Sequence, residues 1–180
     1  MSKLHDLVDL IKRAAQAVES SYFLLPTSYE RAGIVRERVF CYELYHQMRS
    51  LMTDANIFSL SGEIDKRGHL DIKPKHRYNP DFVFHIPGIH SGNAIIMEVK
   101  GNIEKASEVK KDFHTLHTFI KYYKYQLGIF LMYNHSLDEL IARHSSMLQS
   151  LRSYSNASSI HIIAIESAGS KPVEVLLIDL

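Results

Sequence analysis

The sequence predicts an α/β fold in which helices cover both faces of a mixed central sheet. Segments with apolar residues at helical spacing alternate with short apolar segments typical of strands, in the order two helices, three strands, helix, strand, helix and two strands. Residues 127–133 are apolar throughout rather than alternating, which indicates a strand buried on both faces. With 180 residues, the chain is long enough for one domain with a full core.

The helices are predicted from apolar side chains that recur three or four positions apart. In chain order we expect them at 4–18, from about Glu30 to Met52, at 104–126 and at 137–151. Residues 22–29 are expected to connect the first two helices, because Pro26 lies near the middle of that segment.

The strands are predicted from short runs rich in apolar and β-branched residues. We expect them at 57–64, 79–85, 95–100, 127–133, 160–166 and 173–178. Residues 65–69 indicate a turn and 70–78 a polar segment. The segment 86–93 contains Pro, two Gly and Asn, which predicts a turn between the second and third strands.

The two strands on either side of that turn contain the most informative residues of the chain. Pro80 and Asp81 lie at the start of one strand, and Glu98, Val99 and Lys100 end the other. Residues two apart on a strand share a face, so Glu98 and Lys100 point the same way and Val99 points opposite. In a hairpin, Asp81 and Glu98 would be neighbours across the ladder. Two carboxylates at that range repel unless a cation bridges them, which predicts a divalent-metal site.

These five residues resemble the motif of the PD-(D/E)xK nuclease superfamily, the restriction-endonuclease-like enzymes. The predicted element order also resembles the αβββαβ core of that superfamily, here with an extra N-terminal helix and extra C-terminal strands. The resemblance implies one nuclease-like domain over 1–180, with the N-terminal helix and connector, 1–28, packed on it. It further implies metal-dependent hydrolysis of phosphodiester bonds in nucleic acid, with DNA as the expected substrate.

The resemblance assigns a role to each residue of the motif. Asp81 and Glu98 are expected to bind Mg²⁺, for which Mn²⁺ should substitute, and the backbone carbonyl of Val99 is a further ligand in the family. The metal would activate a water for in-line attack on the phosphate. Lys100 would orient that water or offset the charge of the transition state.

The second predicted helix supplies a fourth candidate, Glu37. It begins a stripe whose other members are apolar: Cys41, Leu44, Met48 and Leu51. A carboxylate on such an inward face is costly unless it is paired or binds a metal. In many superfamily members a Glu on this helix reaches the metal, and the Glu-Arg pair of some bacterial members resembles Glu37-Arg38. Glu43 is the rival and is expected on the exposed side; both residues could also be solvated charges.

Two basic segments are candidate contacts to nucleic acid. The first, just before Pro80, comprises Lys73, Lys75 and Arg77. The second is a stripe along the predicted helix 104–126 and comprises Lys110, His114, His117, Lys121 and Lys124. Each segment either binds backbone phosphates or forms an ordinary solvated surface. His114 and His117 also have a spacing that suits zinc, but no third ligand is apparent.

Net charge, cysteine content and the length of apolar runs indicate which partners and which cellular compartment to expect. The net charge of +1 gives no global sign of a nucleic-acid binder, so a binding face must be local. The single Cys41 excludes an internal disulfide and suits a reducing compartment. We expect no signal peptide at the start, because charges interrupt its apolar residues, and no apolar run is near the roughly 20 residues that span a bilayer. We therefore expect a cytoplasmic protein with no membrane partner, and homodimerisation is left open.

Two alternatives to a nuclease also stay open. One is a catalytically silent protein that uses the same fold to bind nucleic acid or to assemble with partners. The other is an α/β interaction protein in which the motif is coincidental. The intact set of Asp81, Glu98 and Lys100 argues against the first alternative, and metal binding would exclude the second.

Overall fold

A six-stranded mixed sheet, with its strands side by side in chain order, forms the centre of the fold. The computed structural model describes residues 3–30, 33–53, 56–62, 73, 76, 78–89 and 92–180. The strands are β1 (Ser59–Gly62), β2 (Phe82–His85), β3 (Asn93–Lys100), β4 (Leu127–Tyr133), β5 (Ile160–Ile165) and β6 (Val173–Leu176). β3, β4 and β5 run parallel, whereas the other neighbouring pairs are antiparallel.

Five α-helices of the described residues cover both faces of this sheet. They are α1 (Lys3–Ala17), α2 (Ser20–Phe23), α3 (Glu37–Leu51), α4 (Ala106–Tyr123) and α5 (Leu137–Leu151). Core residues of α1, α2 and α3 pack on one face, and those of α4 and α5 pack on the other. The predicted α/β class is therefore confirmed. None of the described helices is long and apolar enough to cross a membrane.

The apolar run of β4 is explained by its place between the two helical layers. Leu131 and Tyr133 belong to the core beneath α1 and α3, whereas Phe130 and Met132 belong to the core beneath α4 and α5. All four are fully buried. Burying each such side chain contributes roughly 1.5–3 kcal/mol relative to leaving it in water. The prediction of a strand covered on both faces is confirmed.

The second predicted helix begins later than expected. Helix α3 starts at Glu37, so the predicted start near Glu30 is wrong. Leu25 and Ile34 form an isolated antiparallel bridge, and Gly33 adopts a φ of +75°, which turns the chain before the helix can begin. The predicted connector is also partly helical, because it overlaps α2.

Other differences concern the ends of elements. Helix α4 ends at Tyr123 rather than at 126, because Lys124 adopts the left-handed conformation with a φ of 59°. The first strand spans Ser59–Gly62, and β2 begins at Phe82, after the proline. The last strand ends at Leu176, where a short 3-10 helix follows. Residues 63–72, which include the predicted turn 65–69, lie outside the described residues.

The chain after β3 passes very close to β4. The ring of Tyr133 stacks on Phe40 at 3.8 Å between centroids and meets Phe23 edge-on. Gly101 lies directly against this ring, so a Cβ at position 101 would stand 2.3 Å from Cζ of Tyr133 and 2.6 Å from Cγ1 of Val35. Only glycine fits there without displacing a fully buried aromatic ring.

We predict that Gly101→Ala lowers the free energy of unfolding by about 1–3 kcal/mol, because the added methyl group overpacks the core. Gly62→Ala is the matched control, since its Cβ would meet the ring of Phe82 at an ordinary 3.4 Å. Urea denaturation of both variants measures the difference. Equal stability of the two variants would contradict the packing explanation.

Candidate active site

The antiparallel pairing of β2 with β3 brings the two halves of the predicted motif together. Phe82 lies opposite Met97, and continuing this register by one residue places Asp81 opposite Glu98. The backbone N–H of Val99 donates a hydrogen bond of 2.7 Å to Oδ2 of Asp81. The Asp81 carboxylate thus extends the ladder beyond the end of β2, which fixes its position beside β3. The predicted hairpin is confirmed.

Alternation along β3 places Glu98 and Lys100 on the face that α4 covers. Val99 belongs to the core on the opposite face, as predicted. Glu98 is only 7% exposed and Lys100 only 9% exposed. These are not solvated charges at the end of a strand, and their burial is costly unless each has a partner.

Lys100 is held between two carboxylates that arrive from opposite sides of the sheet. Its Nζ lies 3.2 Å from Oδ2 of Asp112 on α4 and 3.6 Å from Oε2 of Glu37 on α3. The backbone N–H of Gly101 also donates to Oε1 of Glu37, at 3.4 Å. Both helical layers therefore meet at the carboxyl end of β3, a place where open α/β sheets commonly bind ligands.

Asp112 is absent from the site residues predicted from the sequence, although it is 8% exposed and faces Lys100. One signal could have identified it. It lies three residues after Val109 and four before Leu116, so it interrupts the buried stripe of α4. Its Oδ2 is fully buried and, beyond the ion pair with Lys100, forms no hydrogen bond.

The acidic groups of the site compete for protons because they are buried close together. Burial raises the pKa of Asp81 to about 6, although the hydrogen bond from Val99 opposes that rise. Burial and the charges of Asp81 and Asp112 raise the pKa of Glu98 well above its ordinary value. Asp81 and Glu98 each influence the pKa of the other, because they lie opposite each other at the end of the strand pair.

The pKa values of Asp112 and Lys100 depend both on burial and on the charges of their ion-pair partners. Burial raises the pKa of Asp112, and the charge of Lys100 opposes this rise. Burial lowers the pKa of Lys100, but the charges of Asp112 and Glu37 outweigh burial and raise it overall. Four carboxylates and the ammonium of Lys100 therefore lie at this end of β3, and four ionised carboxylates would exceed the charge of Lys100 by three.

This composition is compatible with a hard divalent cation. Among the described residues, no three His, Cys, Asp or Glu side chains form a ready-made metal cluster. Mg²⁺, however, commonly takes only one or two protein carboxylates and completes its shell with water and phosphate oxygens. Asp81 and Glu98, which lie opposite each other across the ladder, can supply those two carboxylates. The residues present thus fit the expected metal.

The choice between Glu37 and Glu43 is resolved by their contacts. Glu37 reaches Lys100, whereas Glu43 binds Gln47 at 2.6 Å and His46 at 3.3 Å on its own helix. The expectation that Glu43 lies on the exposed side is wrong: its side chain is 12% exposed, against 39% for that of Glu37. Glu37 is the residue that faces the site, as predicted.

The candidate nucleic-acid contacts lie around α4. The exposed ones are Lys73, Lys110, Lys121 and Lys124. Lys75 and Arg77 lie outside the described residues. The rings of His114 and His117 are 6.4 Å apart, and no third zinc ligand accompanies them in the described part of the chain.

Comparison with family models, with curated proteins and with solved structures gives no match to this chain. The nuclease resemblance therefore depends on the residues of this chain and their geometry.

We predict that the metal-free protein loses stability as the pH rises, because the pKa of Asp81 is raised on folding. The stabilisation is complete below pH 3.8, the ordinary value, and is lost as the pH passes about 6, with Glu98 extending the loss upward. The Asp81 contribution is on the order of 2–3 kcal/mol. Thermal melting in EDTA from pH 4 to 8 measures it.

Asp81→Asn should flatten this pH dependence relative to wild type, and Asp138→Asn, an exposed carboxylate on α5, should leave it unchanged. Parallel profiles for wild type and Asp81→Asn would show that Asp81 titrates normally and would contradict the assignment.

Proposed function

We propose that this protein hydrolyses phosphodiester bonds in nucleic acid, with DNA as the substrate, by using a divalent metal held by Asp81 and Glu98. The observation that supports this most is the burial of Glu98 and Lys100 at the carboxyl end of β3, with the partly buried Asp81 held beside β3 by the hydrogen bond from Val99. A coincidental motif at a solvated strand end would leave such charges exposed. Burying charges close to one another costs free energy, which a bound cation would offset.

The element order supports the same proposal. From α3 to β4, the chain runs helix, three strands, helix and strand, which is the order of the αβββαβ core of the PD-(D/E)xK superfamily. Helix α1 and the strands β5 and β6 would be additions to that core. Glu37 starts the first helix of this unit, where many superfamily members place a Glu that reaches the metal.

The ligands would come from β3 and from the residue before β2. Asp81 and Glu98 supply carboxylate oxygens. The N–H and C=O of one residue in a strand point to the same side, so the carbonyl of Val99 faces the side on which its N–H meets Asp81. Bound Mg²⁺ would supply a water of lowered pKa and would polarise the phosphate.

Lys100 acts in this proposal as a fixed positive charge rather than as a base. Its raised pKa keeps it protonated at neutral pH. An ammonium has three N–H donors, and Asp112 and Glu37 account for two of them, which leaves one for a water or a phosphate oxygen. Such a preorganised donor stabilises the negative charge that develops on the phosphate in the transition state.

We predict that Mg²⁺ or Mn²⁺ raises the thermal stability of the protein. A ligand that binds only the folded state contributes about 2.7 kcal/mol at 100 times its dissociation constant. Asp81→Asn should abolish the gain, since it removes a ligand charge. Glu43→Gln is the matched control on the neighbouring helix and should retain the gain. Melting curves that millimolar metal leaves unchanged in wild type would refute the metal site.

We also predict that Lys100→Ala lowers the cleavage rate by about 10²–10³ while metal binding persists. Asp81→Ala should lose cleavage and metal binding together. The assay compares purified wild type and both variants on single- and double-stranded DNA and RNA, with and without Mn²⁺. Cleavage unchanged in the Lys100 variant would point to a contaminating nuclease or to another site.

Removing Lys100 leaves Asp112 buried without its partner, which is expected to destabilise the fold by about 3–5 kcal/mol. The double variant Lys100→Met with Asp112→Asn removes both charges and should regain most of that stability. It thus separates loss of catalysis from loss of folding. If wild type binds metal but cleaves none of the substrates, the silent nucleic-acid-binding alternative replaces the nuclease.

A further inference from the structure

A track of cationic and imidazole side chains extends along the exposed side of α4, away from the acidic site. It consists of Lys110, His114, His117 and Lys121, which share one helical stripe. From Lys110 to Lys121 the stripe spans about 16 Å, since a helix rises 1.5 Å per residue. That length accommodates about five stacked nucleotides at 3.4 Å each.

Aromatic rings from two other segments border this track. Tyr78, which lies just before the motif, meets His114 edge-on at 6.1 Å between ring centroids. Tyr154, which follows α5, lies over His117 at 4.1 Å. Each of the two imidazole rings therefore has a tyrosine neighbour. Tyr78 and Tyr154 also pack on the core beneath α4 and α5, so they form a fixed apolar border to the track.

The far end of the track is formed by Tyr122. Its side chain is 50% exposed, although it is large and apolar. His76 stacks on it at 5.0 Å, which holds the ring in place. The ammonium groups of Lys121 and Lys73 lie 5.4 and 6.0 Å from the centre of the same ring. A fixed, half-exposed ring between two cations can stack a base while the lysines contact its phosphates.

The near end of the track adjoins the acidic site. The track starts with Lys110 near the beginning of α4, and Asp112, which pairs with Lys100, lies two residues further along, on the buried side of the helix. The charge of Lys111 also lowers the pKa of the buried Glu98, so the start of α4 and the site share one electrostatic environment. A strand lying on the track would therefore reach the end of α4 that lies beside the carboxylates.

We propose that this track binds single-stranded nucleic acid and delivers it to the site, an inference that rests on the proposed nuclease function for the fate of the strand. Phosphate contacts alone do not distinguish single strands from duplexes. Ring faces do, because only unpaired bases are free to stack on protein side chains. The combination of cations with the half-exposed ring of Tyr122 thus selects a single strand.

The test is fluorescence anisotropy of a roughly 12-nucleotide oligo(dT) and of a duplex of equal length, with EDTA present so that the DNA stays intact. Wild type should bind the single strand more tightly than the duplex. Tyr122→Ala should weaken single-strand binding at least about fivefold, because it removes one stacking platform. Tyr122→Phe keeps the ring and should bind like wild type.

The contribution of the positive charges of the track is measured by the salt dependence of binding. Lys121→Ala should weaken binding and reduce the slope of log affinity against log salt by about 0.7, the value for one phosphate contact on a single strand. Tyr122→Ala should leave that slope unchanged. The matched controls are Tyr42→Ala, an exposed tyrosine on α3 across the sheet, and Lys171→Ala, an exposed lysine beside α1. Both should bind like wild type.

Because Tyr122 packs on His76, Tyr122→Leu serves as a second variant that keeps apolar bulk without a ring face, and melting curves check the folding of each protein. The proposal is overturned if the duplex binds as tightly as the single strand, or if the Tyr122 variants match Tyr42→Ala. If the protein cleaves nucleic acid but shows none of these binding effects, the track is refuted and the proposed nuclease function stands. Single-strand binding with no cleavage of any substrate would refute the nuclease and leave the track standing.

Discussion

The excess of negative charge at the carboxyl end of β3 is the constraint on which the arrangement of this protein depends. The buried Lys100 is paired with Asp112 and Glu37, and Asp81 lies opposite the buried Glu98 across the ladder. Charges taken out of water in this number destabilise a fold unless something balances them. The residues of the cluster come from two helices and two neighbouring strand segments, so both helical layers of the fold contribute to holding these charges together. A bound divalent cation is the simplest way to restore the balance.

The sheet makes this arrangement possible through its register. Phe82 opposite Met97 sets Asp81 opposite Glu98, and a slip of one residue would turn Glu98 and Lys100 toward the apolar core beneath α1 and α3. Such a slip would bury unpaired charges among aromatic side chains, so the hydrophobic pattern and the charges enforce the same pairing. Gly101 then lets the chain pass over Tyr133 at a distance that no other residue allows. The packing of the core and the geometry of the site are thus determined together.

Much of this could be predicted from the sequence, because local patterns define it. The bounds of β4 and α5, the facing of Glu98 and Lys100 and the hairpin all follow from periodicity and from turn residues. What could not be predicted depends on contacts distant in sequence. The late start of α3 results from the bridge between Leu25 and Ile34. The role of Asp112 becomes visible only when α4 is placed over β3, and the low exposure of Glu43 is a property of its surroundings in the folded chain rather than of its helical spacing.

The measurement that tests the central claim most directly is anomalous diffraction from crystals soaked in Mn²⁺. The account predicts a single strong peak within coordination distance of the carboxylates of Asp81 and Glu98. It also predicts that Lys100 stays between Asp112 and Glu37. The absence of a peak at this position in crystals soaked at neutral pH would contradict it.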